Sequence, residues 1–252
     1  MTGATPLPAS ATELAAAVPE AEYLRLLGLP RGRVLEGDLL ERASQARSWY
    51  ARHGRPFVAT RRVDVATLEP KMVRLETGTV FESAALAGRL VEGEAHALLA
   101  LAASAGPEVA AETKRLWATE RPDEAFFLDR LAAAVAERLV LWASAAICRL
   151  SEPARETLLP HLSPGCGHWD LADQHRLMAL LTGEANGTTL GPVELLPSGV
   201  LQPQHSVLAA LGVTRRSVAA TPEALCRSCD LDPCAFRRAP FVTAALRPQE
   251  TR

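Results

Sequence analysis

Three cysteines, Cys226, Cys229 and Cys234, fall within nine positions near the C-terminal end, with Arg227, Arg237 and Arg238 around them. Thiolates at Cys-x2-Cys-x4-Cys spacing suit zinc or an iron–sulfur cluster, and neighbouring guanidinium groups favour the deprotonated, ligating form. The spacing sets no fourth ligand; Cys166, His168, His205 or an external group could complete the set. A cubane held by three cysteines would leave one iron open to accept a ligand or pass an electron. Read without a metal, the same segment is three thiols in a loop.

A second block is Ser163-Pro164-Gly165-Cys166-Gly167-His168-Trp169-Asp170, followed by a segment from Pro197-Ser198-Gly199 to His205-Ser206-Val207. A Pro-Gly pair lets the backbone turn sharply and come close to a ligand. The N–H groups opening a following helix can meet a carboxylate. The same turn also serves as a plain connection between helices. His161, Cys166 and His168 are candidate bases beside it. Asp129 and Glu137 lie two turns apart on one predicted helix, where they form either an acid–base pair or a solvated face.

The elements that must position these groups are legible from periodicity. Residues 1–20 read as a flexible lead. Helices are predicted over 22–27, 35–53 and 123–150, the last with an apolar stripe from Phe127 to Ala146. Alternation over 57–68 predicts a half-buried strand, and 72–81 a second one broken at Thr77-Gly78. Residues 83–103 read as helix and buried apolar segment, and Pro107 suits the first position of the next helix. After a proline-rich connection, Asp170 is the expected N-cap of a helix over 171–181. Strands follow at 190–196 and 206–213. Cys148, Trp117 and Trp142 are expected to pack, and His53 to end a helix in solvent.

Composition sets the broad class. Of 252 residues, 48% are hydrophobic and 22% charged, which supports a folded core, and the net charge of -2 with no basic tract disfavours nucleic acid. The apolar stretch 131–150 is interrupted by Glu137, Arg138 and Arg149, so no membrane span is expected. With no basic, apolar leader over residues 1–10 and an odd number of cysteines, five, a cytoplasmic protein without a disulfide framework is expected.

The order of the two blocks resembles the AdoMet-binding activation domain of cobalamin-dependent methionine synthase, and in particular its short stand-alone relatives. There an Arg-x-Ser-Pro-Gly-Tyr-Gly-x-Trp-Pro segment leads into a helix, and a Ser-Gly-Met-Met-x-Pro-x-Lys-Ser-Val segment follows. The cysteine-and-arginine end is similar too. The resemblance implies an α+β fold: a twisted, mostly antiparallel sheet with helices packed around it, drawn from 57–81 and 190–213 into one domain. It divides the chain into the lead 1–20, an activation-domain-like unit 21–225 and a cysteine-containing tail 226–252.

The resemblance also implies S-adenosylmethionine as cofactor, bound through His161, Ser163, Pro164, Gly165, Cys166 and Ser206. His161 and Cys166 stand where the family has Arg and Tyr, Pro197 where it usually has Glu, and His205 where Lys is frequent. The implied function is reductive methylation of a corrinoid methyltransferase protein, which brings the cobalamin, with an electron donor or an iron–sulfur cluster supplying the electron. The altered side chains keep open an enzyme that consumes AdoMet itself, as a lyase or cyclase acting on the aminobutyrate chain. A metal-bearing interaction module with a decayed pocket is the third reading.

Overall fold

The computed structural model describes residues 5–216, apart from residues 31 and 167. Cys226, Cys229 and Cys234 therefore lie outside the described residues. In chain order the elements are β1 (Thr5–Pro6), α1 (Ala11–Ala17), α2 (Glu20–Leu26), α3 (Gly37–His53), β2 (Phe57–Glu69), β3 (Met72–Leu75), β4 (Val80–Glu82) and α4 (Ala84–Glu92). Then come β5 (Ala97–Ser104), α5 (Pro107–Ala118), α6 (Pro122–Leu150), β6 (Thr157–Leu158), α7 (Asp173–Thr182), β7 (Thr189–Leu190), β8 (Val193–Leu195), β9 (Leu201–Gln202) and β10 (Ser206–Thr214).

The expected α+β architecture is present. A seven-stranded antiparallel sheet runs β4-β3-β2-β5-β10-β6, with β1 added to β2, and β7-β8-β9 form a second small sheet. Its centre is β5, all eight residues of which are buried. Side chains alternate across a strand. Leu99 and Leu101 enter a core with α1, α2, α3, α5 and α6, while Leu98, Ala100 and Ala102 enter another with α4, α7 and β8. A strand covered on both faces reads as a continuous apolar run, so the segment 83–103 left its helix-or-strand character open. The structure divides it at Gly93 into α4 and β5.

Other boundaries also moved. The stretch read as a flexible lead contains α1, capped by Ser10 Oγ accepting from Glu13 N at 3.3 Å, and it buries Leu14 and Ala15. Asp170 Oδ1 accepts from Ala172 N at 2.8 Å, so Asp170 closes a turn and α7 starts three residues later. The predicted strand over 190–196 is broken at Gly191 into β7 and β8. Helix α6 is long and apolar enough to cross a membrane by length and composition. Its stripe of Leu128, Leu131, Val135, Leu139 and Val140 is instead buried in the core against the sheet and α1 to α3.

Several buried polar groups are paired across elements. Tyr50 Oη donates to Ala105 O at 2.8 Å and Tyr23 Oη to Phe127 O at 2.7 Å; burial pushes both phenols upward. At the sheet edge, Glu156 is buried and accepts from Arg62 at 2.6 and 3.0 Å, and its Oε1 lies 2.9 Å from His96 Nε2. The bond from Arg62 leads the causes that hold the Glu156 carboxyl below its ordinary value of 4.5.

Two outcomes are expected. Leu101→Ala leaves a cavity beside the central strand and lowers unfolding free energy by about 2–5 kcal/mol, read by chemical denaturation. Because the folded-state value of Glu156 is depressed, its stabilisation is present above the ordinary carboxylate range and is lost as pH falls through the folded value. Glu156→Gln should therefore destabilise the protein at neutral pH and flatten the acid limb of stability against pH.

Candidate functional site

The Pro-Gly turn is held by a fully buried ring. Trp169 Nε1 donates to Asp173 Oδ2 at 2.6 Å, its ring meets Phe81 edge-on at 5.7 Å, and Asp173 also pairs with Arg176. Around this anchor, Gly165 N donates to Trp169 O at 2.7 Å, Cys166 N to Ser163 O at 3.1 Å, and Trp169 N to Cys166 O at 3.0 Å. Gly165 has φ +90°, in the region that favours glycine. Upstream, Arg89 on α4 donates to the carbonyls of Pro160 and His161 at 3.2 and 3.3 Å, and its burial pulls its pKa down.

Beside this turn lies a cleft of about 1070 Å³ between the start of α5, the approach to α7 and the segment from β8 to β10. Leu171 joins turn and cleft. It lines the cleft, and Cβ atoms placed on Gly165 and Gly199 would stand 3.3 and 3.4 Å from it. Ser206 lines the cleft where β10 begins, and its Oγ donates to Ser104 Oγ at 3.0 Å on the paired end of β5. Gln174 Oε1, from another cleft residue, is buried without a hydrogen-bond partner. A ligand N–H or O–H would satisfy it.

The structure thus brings Ser206, Leu171 and Gln174 together. His161, Ser163, Pro164, Gly165 and Cys166 form the neighbouring turn and do not line the cleft themselves. Pro164 is buried, His161 and Ser163 are half-buried, and Cys166 and His168 are exposed. Among the described residues no three His, Cys, Asp or Glu side chains are grouped to hold a metal. Glu137, read as one of two carboxylates on α6, pairs with Arg25 at 2.9 Å.

Asp129 has a partner that spacing did not reveal. His205 Nε2 lies 2.7 Å from Asp129 Oδ1, across 76 positions of sequence. This bond is the main cause that holds the Asp129 carboxyl below its ordinary value, against burial. The pair lies in a second cleft of about 410 Å³ with Trp117, which is 61% exposed rather than packed. Trp142 and Cys148 pack against the core as expected, and His53 is exposed. His205→Ala should raise the Asp129 pKa, since the largest lowering influence is gone and burial remains; carboxyl ¹³C titration by NMR reads the shift.

No family model matches the chain, and no curated protein matches it. Among solved structures it is similar to the crystal structure of the MetH reactivation domain bound to AdoHcy, at 14% sequence identity. The match has a TM-score of 0.61 and covers 89% of this chain and 84% of that one. At this identity the likeness concerns the fold, and the protein has the fold of that reactivation domain.

Proposed function

We propose that the protein binds S-adenosylmethionine and supports reductive methylation of a corrinoid methyltransferase protein. The observation that carries this reading is the fold shared with a domain bound to AdoHcy, the demethylated product of AdoMet. The large cleft beside the Pro-Gly turn supports it from this chain's own residues. It offers an unsatisfied Gln174 oxygen and the hydroxyl of Ser206 for a polar ligand.

In this reading the loop of His161, Ser163, Pro164, Gly165 and Cys166 borders the amino-acid end of AdoMet, and Ser206 contacts the ligand from β10. A side chain at Gly165 would press on Leu171 at the cleft. The chemistry asked of the chain is positioning, with the sulfonium methyl held in line with its acceptor and water kept away. Cobalamin on the partner, reduced by an electron donor, supplies the methyl acceptor. Cys226, Cys229 and Cys234, in the tail beyond residue 225, are proposed as ligands for zinc or an iron–sulfur cluster. The protein acts as a soluble cytoplasmic partner in this scheme.

The experiment is calorimetry with AdoMet and AdoHcy on anaerobically purified protein, with iron and zinc assayed on the same sample. Binding at one site with about micromolar affinity is expected. Gly165→Ala, which forces a side chain onto a φ of +90° against Leu171, should weaken it about tenfold. Absence of binding at millimolar AdoMet overturns the reading. AdoMet breakdown without any corrinoid protein would instead assign the cleft to an AdoMet-consuming enzyme.

A further inference from the structure

The second cleft has a chemistry of its own. Lys114, on the exposed side of α5, lines both clefts, so the two adjoin. The smaller one is walled by rings that the fold leaves in solvent: Trp117 is 61% exposed and Phe126 39%. A tryptophan buries more apolar area than any other side chain when covered. Its exposure at a cleft mouth leaves a flat apolar face for a flat ligand.

The charge there is lopsided. Lys114 and Arg130 face one carboxylate, Asp129. That carboxylate is engaged by His205 at 2.7 Å and lies 3.7 Å from Arg130 Nε. The Arg130 guanidinium stands 5.2 Å over the Phe126 ring, and its Nε is buried with no hydrogen bond. Stacking on a ring sets the plane of the guanidinium, and an oriented donor fork suits phosphate or carboxylate oxygens. The volume, about 410 Å³, lies in the range of small-molecule sites.

We propose that this cleft binds a planar heteroaromatic ring carrying a phosphate, the chemistry of a nucleoside monophosphate. The ring lies against Trp117 and Phe126, and the phosphate meets Arg130 and Lys114. AdoMet shares the planar ring and has one carboxylate, but it carries no phosphate, and its sulfonium and ammonium outweigh that carboxylate, so it is cationic overall and a cleft with surplus positive charge disfavours it. The site is thus separate from the one assigned to AdoMet, and the inference stands whether or not that assignment holds.

The test is calorimetric titration of the full chain with adenosine 5′-monophosphate, adenosine and inorganic phosphate, alongside tryptophan fluorescence. Adenosine monophosphate should bind at one site, at least about tenfold tighter than either fragment, and quench emission from Trp117. Trp117→Ala and Arg130→Gln should each weaken it about tenfold, while Trp117→Phe, which keeps a ring, should retain most of the affinity. Thermal melts of the variants, expected to match the parent at the exposed position 117, separate lost binding from lost folding. No binding by adenosine monophosphate overturns the proposal. So does affinity no better than that of the fragments, or binding that neither Trp117→Ala nor Arg130→Gln changes, which would place the nucleotide elsewhere.

Discussion

Everything in this chain hangs on the double burial of β5. A strand with no solvent face needs a packed layer on each side, and the rest of the sequence supplies two unlike ones. Helices α1, α2, α3, α5 and α6 cover one face, and α4, α7 and the small sheet cover the other. The residues of β5 are only Ala, Leu and Ser, with Leu99 and Leu101 in one core and Leu98 in the other. Both neighbours, β2 and β10, pair with β5 along eight successive positions. Register is set there and passed outward, which is why Ser206 at the start of β10 and Phe57 at the start of β2 both stand opposite Ser104.

The clefts form where this layering ends. Past Ser104 the chain turns through Gly106 into α5, while on the adjacent strand the segment 199–205 arrives from the small sheet. The gap between those two paths is the large cleft, and the side of α5 turned toward α6 borders the smaller one. Loops at the end of a rigid sheet can bear functional groups without costing the core its packing. The Trp169–Asp173 bond has a comparable role for the Pro-Gly turn. It anchors a turn with a positive-φ glycine through a fully buried ring, leaving Cys166 and His168 at the surface.

Much of this was legible in the sequence. The stripe on α6 reflects side chains facing one core, and single-face burial leaves a clear period; in β2 the expected alternation is lost over Val58, Ala59 and Thr60, all buried, where the strand meets both cores. Pro107 was placed at a helix start because its missing N–H has no role there. The two glycine-bearing blocks suggested the fold family through their order. What could not be read was whatever depends on two faces or on distance. The run in β5 has no period because both its sides are buried. Helix α1 is short, and its burial comes from α3 and α6 rather than from its own pattern. The pairing of Asp129 with His205 joins residues on α6 and before β10, and no spacing rule reaches that far. Trp117 is expected to pack because large aromatics are usually covered, but it is exposed and its neighbour Leu116 enters the core. The turn from Pro164 to Cys166 stands beside the cleft, and Leu171, which no motif singles out, lies against both.

That leucine has an evolutionary consequence. Gly165 belongs to one turn and Gly199 to another, and the same side chain lies against both. The two loops therefore share a spacer and cannot drift in shape independently. A side chain added at 165 or at 199 would meet the same leucine, so a change in either turn bears on residue 171. Lineages that remodel this site for a different ligand would be expected to change positions 165, 171 and 199 as a set, with the intermediate combinations poorly tolerated.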